Sequence, residues 1–319
     1  MINIGILGCA NIADRLVIPA INSSENFTLV AIASRSHEKA REFSIKFGCE
    51  AARDYQGLID RDDIDAIYIP LPIGLHHEWV LKCLDSGKHV LCEKSLAPDY
   101  ATARSMVDAA RSRSLVLIEN FMFTFHSQHR FILDRINRGE IGEIRCFRGS
   151  FGFPPFSDDN IRYSKILGGG SLLDAGAYTV KATQLILGTD LEVTSAFLGF
   201  EPGREVDIYG GAFLVSGSGC ISQIAFGFDN YYQCSYEVWG SKGKLTSARA
   251  YTAGPDIRPK VIIEMQDEKH EYSLPQDNHF LNILGHFHDS IVNNILEPNY
   301  SEIMNQSRLL TQIQEYASR

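Results

Sequence analysis

Over its first 120 residues the chain alternates short, nearly unbroken apolar runs with stretches of helical periodicity, and few folds accept that pattern. The runs at 2–8, 28–34, 66–70, 89–93 and 115–119 are apolar on both faces, as strands are when helices cover a sheet from both sides. Helices are expected at 10–23, 37–47, 75–86 and 98–113, with Gly48 and Gly87 standing as C-terminal stops. Successive units of this kind wind into a doubly wound parallel sheet, and the fold class expected is α/β.

After Glu119 the texture changes. A helix at 127–138, ended by Gly139, leads into a strand at 145–153, and a second helix is expected at 170–187. Runs at 192–198, 208–215, 220–228, 234–240, 260–265 and 269–272 then follow one another without helices between them. Strands grouped in this way make a large, mostly antiparallel sheet, hence a C-terminal α+β domain. Two helices, at 279–296 and 301–317, close the chain and are able to pack back on the first domain. The expected domains are 1–120, the doubly wound unit, and 121–319, the α+β unit. With 319 residues and 45% hydrophobic composition there is material for two cores.

Composition removes several classes of function. A net charge of −9 with no Lys/Arg run speaks against nucleic acid and anionic membrane surfaces as partners. Seven cysteines without CxxC spacing read as reduced core residues. No basic and apolar leader opens the sequence and no apolar run approaches membrane-spanning length, so a cytoplasmic protein is expected. His286 and His288 lie two apart, on different faces of their helix, which argues against a metal site; neither a G-x-S-x-G elbow nor a P-loop is present.

The first strand runs into Gly8-Cys9-Ala10-Asn11-Ile12-Ala13 and then a helix. This is a G-x-G-x-x-G/A turn with alanine in two glycine positions: Gly8 for the tight turn, small Ala10 for approach to a pyrophosphate, Ala13 for close helix packing. Cys9, Asn11 and Ile12 share the turn as candidate cofactor contacts. The second strand ends Ser34-Arg35-Ser36 without a carboxylate, so a 2′-phosphate meets a hydroxyl and a guanidinium; NADP (NADPH) is favoured, with NAD still possible. Leu71 and Pro72, after the fourth strand, should overhang the ligand crevice, and His76 is a candidate for the nicotinamide ribose or for capping the next helix.

Glu93 and Lys94 end the fifth strand, where cofactor and substrate meet in such sheets. The Lys94 ammonium can stabilise charge that grows on a substrate oxygen. Farther on, Gly168-Gly169-Gly170 opens a helix with Asp174 and Tyr178 four apart on one face, an acid to orient a hydroxyl or the lysine and a phenol to move a proton. Arg162 and Tyr163, ahead of the glycines, are candidate substrate contacts, and an exposed loop is the other reading of them.

Together, Gly8-Cys9-Ala10-Asn11-Ile12-Ala13, Cys92-Glu93-Lys94 and Gly168-Gly169-Gly170-(x)3-Asp174-(x)3-Tyr178 resemble the Gfo/Idh/MocA oxidoreductases. Glu119-Asn120-Phe121-Met122 and Gly139-Glu140-Ile141-Gly142-Glu143 extend the likeness over nearly the whole chain. The resemblance implies a Rossmann domain followed by a domain with a large open sheet, and a homodimer or homotetramer. It also implies that Lys94 is the lysine of the family's E-K-P motif and Asp174 its helix acid. Two departures stand out: Ser95 replaces the proline, and Tyr178 takes the place of a common histidine. The tyrosine is similar to the branch that holds glucose-fructose oxidoreductase, dimeric dihydrodiol dehydrogenase and the sugar-nucleotide 3-ketoreductases, where it is the proton donor. That likeness implies an NADP-dependent ketoreductase acting on a sugar or sugar nucleotide. The alternatives are a dihydrodiol or xylose-type dehydrogenase working in the oxidative direction, and a non-catalytic dinucleotide sensor of the same fold.

Overall fold

A computed structural model describes residues 1–319, which divide into two compact units, 1–120 with 280–307 and 121–279 with 308–319. In the first unit six parallel strands, β1 (Ile2–Leu7), β2 (Phe27–Ala33), β3 (Glu50–Ala51), β4 (Ala66–Ile69), β5 (His89–Glu93) and β6 (Leu117–Asn120), are ordered β3-β2-β1-β4-β5-β6. The order reverses between β2 and β4, on either side of β1, so the carboxyl ends of these strands frame the crevice where doubly wound sheets bind ligands. The continuous apolar runs are explained by burial: Ile4, Ile6, Leu7, Ile67, Ile69, Val90 and Leu91 are all fully buried.

Helices α1 (Ile18–Asn22), α2 (His37–Phe47), α3 (Tyr55–Ile59), α4 (Ile73–Asp85) and α5 (Tyr100–Arg113) complete the crossovers. Their boundaries follow local chemistry: Ser36, Asp54 and Asp99 each accept a backbone N–H at a helix start, and Gly48 ends α2 in the left-handed conformation. Neither the two-residue β3 nor the short α3 is long enough to show a period in the sequence.

The second unit is built on an eight-stranded sheet ordered β14-β13-β12-β11-β7-β10-β9-β8. Its strands are β7 (Ile144–Gly152), β8 (Leu191–Phe200), β9 (Asp207–Ser216), β10 (Ile221–Gly227), β11 (Gln233–Gly240), β12 (Gly243–Ser247), β13 (Lys260–Met265) and β14 (Lys269–Ser273). All neighbours are antiparallel except β7 and β10. Helix α6 (Ser127–Asn137) precedes the sheet, and α7 (Ala177–Leu187) packs across β7 and β10. The closing helices are α8 (His279–Val292) and α9 (Glu297–Ala317). Helix α9 starts earlier than expected, because Pro298 falls in its first turn, where the missing N–H has no intrahelical partner to lose. In the first unit Phe287 of α8 stacks on Phe27, and the Tyr300 hydroxyl of α9 donates to the Leu115 carbonyl. No helix is long and apolar enough to cross a membrane.

Candidate active site

At the carboxyl ends of β1, β2 and β4 lies a cavity of about 470 Å³. The first turn supplies Gly8, Cys9 and Ala10; the end of β2 supplies Ser34, Arg35 and Ser36; Pro70, Leu71 and Pro72 form the facing wall. Gly8 has φ +133°, and a Cβ there would stand 2.8 Å from Leu71 Cδ2, so both the turn and the gap beneath the wall require glycine. Lys39, Tyr55 and Leu75 also line the cavity. Tyr55 arrives on α3 after the two-residue β3, so no periodic pattern in the sequence marks it as a wall residue. Its ring is set edge-on against Trp79 at 4.9 Å.

The charge at this cavity is one-sided. Arg35 is exposed and neither it nor Lys39 forms an ion pair, in a protein that carries nine net negative charges. Ser34 Oγ accepts from the Ser36 N–H, and Ser36 Oγ accepts from the Lys39 N–H, which holds the turn that presents both cations. Two cations without acidic partners beside hydroxyls and an open backbone turn fit an additional phosphate, so the residues present fit NADP. Asn11 and Ile12 lie in the same turn but outside the cavity lining.

At the ends of β4, β5 and β6 a buried polar cluster stands in place of an open cofactor contact. Glu93 Oε1 accepts from the Tyr68 hydroxyl and from Asn120 Nδ2, each at 2.6 Å. Burial pushes the Glu93 carboxyl up, and those two donors oppose the shift. Lys94 follows, half-buried, and the Lys94–Ser95 peptide bond is cis. The Leu96 N–H donates to Glu119 Oε1 at 2.7 Å, a role for Glu119 that the sequence did not suggest. His76 is fully buried: Nε2 lies 2.7 Å from the Leu71 carbonyl, and Nδ1 lies 3.0 and 3.1 Å from the Ser95 and Leu96 carbonyls. Its nitrogens are thus turned to the backbone, in place of the ribose or capping contact expected of it.

In the second unit the glycine loop is held from below. A Cβ on Gly169 would fall 2.3 Å from the Arg162 carbonyl oxygen, and the Gly170 N–H donates to that same oxygen at 3.0 Å. Asp207, at the start of β9, accepts from Ser171 Oγ and from the Leu172 N–H at 2.6 and 2.7 Å, a cap supplied by a distant strand. Burial raises the Asp207 carboxyl, and the two donors work against that shift. The helix that follows begins as one π turn over Leu172–Gly176 and becomes α at Ala177, and wide turns of this kind recur at functional sites.

Asp174 lies in the π turn, where Arg162 Nε donates to its Oδ2. The structure therefore joins two residues that the sequence offered separately. Tyr163 lies beside them, its hydroxyl accepting from the Phe156 N–H at 3.0 Å and its ring beneath the Arg204 guanidinium at 4.0 Å. Tyr178 is boxed by the rings of Phe121, Phe123, Phe151 and Tyr251, with centroids 5.1–5.9 Å away. Only 6% of the residue is exposed, so packing fixes the direction of its hydroxyl.

Residues 2–121 match the NAD-binding Rossmann fold of an oxidoreductase family, and residues 129–246 match the GFO/IDH/MocA C-terminal domain. The chain is 41% identical to dTDP-3,4-didehydro-2,6-dideoxy-alpha-D-glucose 3-reductase of Actinomadura kijaniata, over 94% of this chain and 91% of that protein. It is 34% identical to D-xylose 1-dehydrogenase (NADP(+)) 2 of Haloferax volcanii, over 79% and 77% of the two chains. Among solved structures, a 3-ketoreductase from Actinomadura kijaniata in complex with NADP and TDP-benzene superposes with a TM-score of 0.96 at 39% identity, covering 99% of this chain and 97% of that one. Two domain matches in sequence order, carried by the same two folds described above, identify the chain as a member of the Gfo/Idh/MocA family of oxidoreductases.

Proposed function

We propose that the protein is an NADPH-dependent ketoreductase that reduces the C-3 ketone of a nucleotide-linked deoxysugar. Tyr178 carries this reading most directly, since a phenol on the catalytic helix suits delivery of a proton to a ketone oxygen. The relative solved with NADP and TDP-benzene was also solved with a tyrosine changed to phenylalanine and with a lysine changed to alanine. Those two residues are spaced along their chain as Lys94 and Tyr178 are along this one.

Bound NADPH supplies the hydride that the ketone carbon accepts. The chain's own residues handle the charge and proton that result. Lys94 donates to the ketone oxygen and stabilises the negative charge that grows there. Tyr178 gives its proton to the same oxygen, and the phenolate left behind is reprotonated from solvent. Asp174, oriented by Arg162, accepts from a substrate hydroxyl and sets the sugar in place. Arg35, with Ser34 and Lys39, takes the 2′-phosphate, while Gly8, Cys9, Ala10 and the Leu71–Pro72 wall take the rest of the dinucleotide.

Replacement of Arg35 by Asp is expected to weaken NADPH roughly 10- to 100-fold relative to NADH, the effect of losing a charge-assisted bond and gaining a repulsion. Calorimetry with both cofactors measures it, and equal loss for the two would contradict the assignment of Arg35. A second consequence concerns assembly. Phe197, Phe200, Tyr209 and Trp239 are 48–61% exposed on the large sheet, which suits a face covered by another copy of the chain. Light scattering should give two or four times the 35.6 kDa chain mass, and a monomer mass argues against that use of the sheet.

The likeness to a D-xylose 1-dehydrogenase favours oxidation of a free aldose as the second reading. Loss of 340 nm absorbance with NADPH and a nucleotide-linked 3-ketosugar, set against its gain with NADP⁺ and free D-xylose, separates the two. Turnover of the nucleotide-linked ketone alone is expected; faster turnover of the pentose would replace the proposal. The seven unpaired cysteines suit a reducing cytoplasm.

A further inference from the structure

Residues 153–169 run from the end of β7 into the glycine loop and carry two cations, Arg162 and Lys165. Lys165 is exposed, whereas Arg162 is built into its surroundings. Its carbonyl accepts the Gly170 N–H, which ties its backbone to the glycine loop. Its guanidinium carbon lies 4.7 Å from the centroid of the Phe156 ring, and its Nε donates to Asp174 Oδ2. The Phe156 N–H in turn donates to the Tyr163 hydroxyl, so the segment bearing that ring is itself held. The bond to Asp174 uses Nε alone and leaves four N–H groups on the two terminal nitrogens, on a side chain 38% exposed. Arg204, the other guanidinium of this region, differs. It donates to Asp158, approaches Glu201 at 4.0 Å and lies over Tyr163, so its charge is already answered.

We infer that Arg162 is a specificity-determining residue: its terminal nitrogens receive the diphosphate of the nucleotide-linked substrate while its Nε holds Asp174 for a sugar hydroxyl. A nucleotide-linked sugar offers phosphate acceptors at its anomeric carbon and hydroxyl donors on its ring. The joined Arg162 and Asp174 offer the matching donors and acceptor side by side. A planar fork suits this double duty, since it bonds two anions along two edges where an ammonium acts as a single point charge. Asp174 alone would repel a diphosphate; Arg162 offsets its charge, and Lys165 adds a second cation in a chain that carries nine net negative charges. A free sugar gains nothing from the terminal nitrogens, so the residue separates a nucleotide-linked ketone from an unlinked one. The inference rests on the sugar-nucleotide reading proposed above.

The probe is dTDP, which carries the diphosphate and lacks the sugar. Calorimetry on the protein with NADP⁺ bound should give a Kd for dTDP that Arg162→Met raises about 10- to 100-fold, the loss of a charge-assisted contact. Affinity for NADPH should not change, because Arg162 is no part of the dinucleotide cavity. Methionine keeps an apolar stem over Phe156 and removes the donors. The same loss is expected in an Asp174→Asn background, where no released acid repels the phosphate. Recovery of dTDP binding in that double variant would overturn the inference, as would an unchanged Kd in the single one. A crystal structure of the unaltered protein with NADP⁺ and dTDP needs no substitution: the terminal nitrogens should lie within about 3.2 Å of phosphate oxygens. A diphosphate held elsewhere, with Arg162 on Asp174 alone, would contradict it. The two readings fail separately. Turnover of the nucleotide-linked ketone with dTDP affinity untouched by Arg162→Met removes the subsite and leaves the activity; dTDP bound through Arg162 without such turnover removes the activity and leaves the subsite.

Discussion

Tyr178→Phe is expected to lower kcat by about 10²–10⁴-fold, the range that positioned general acids contribute, while the Kd for NADPH changes less than about twofold. The substitution removes one oxygen and leaves a ring that Phe121, Phe123, Phe151 and Tyr251 continue to hold. Stability should therefore be preserved, and the loss should fall on the chemical step. Rapid-mixing kinetics with excess NADPH gives the hydride-transfer rate directly. Turnover within a few-fold of the unaltered protein would remove Tyr178 from the mechanism and return it to a packed helix tyrosine.

Lys94→Met should cost about 10²–10³-fold in kcat, comparable to loss of a donor that stabilises a developing oxyanion. Methionine retains much of the side-chain length and volume, so the change isolates the charge. Its effect should fall mainly on kcat, because the oxygen is most negative in the transition state. A rise in KM with kcat unchanged would instead show uniform binding of the substrate. Lys94→Arg is expected to restore little, since a planar guanidinium directs its donors differently from an ammonium.

Much of the first unit was legible in the sequence, because its strands are buried on both faces and two of its helices stop at glycines, Gly48 and Gly87, that take up positive φ. The same signals located Gly8 and the end of β5. Elements too short to show a period were lost, which is why β3, α3 and the cavity residue Tyr55 went unnoticed. Strand β12 was missed because Gly243-Lys244-Leu245-Thr246-Ser247 offers one large apolar residue, and pairing with β11 and β13 decides its conformation.

The candidate site divides in the same way. Lys94, Asp174 and Tyr178 stood out by residue type and spacing. What holds them comes from far along the chain: Asp207 caps the Tyr178 helix from β9, and Tyr251 closes the aromatic box. No local pattern announces contacts across such separations. His76 lies beside the crevice in sequence, where a ribose contact and a capping role are both open to it; the fold buries it on α4 with its ring nitrogens beside three backbone carbonyls.

The hydride itself can be followed into the product. The protein is incubated with NADPH deuterated at the transferring C4 position and dTDP-3,4-didehydro-2,6-dideoxy-alpha-D-glucose, and the product is examined by NMR and mass spectrometry. A single deuterium at C-3, with a new hydroxyl on that carbon, is the expected result. Deuterium at C-4, or no transfer from bound NADPH to the nucleotide sugar, would contradict the proposal of a sugar-nucleotide 3-ketoreductase.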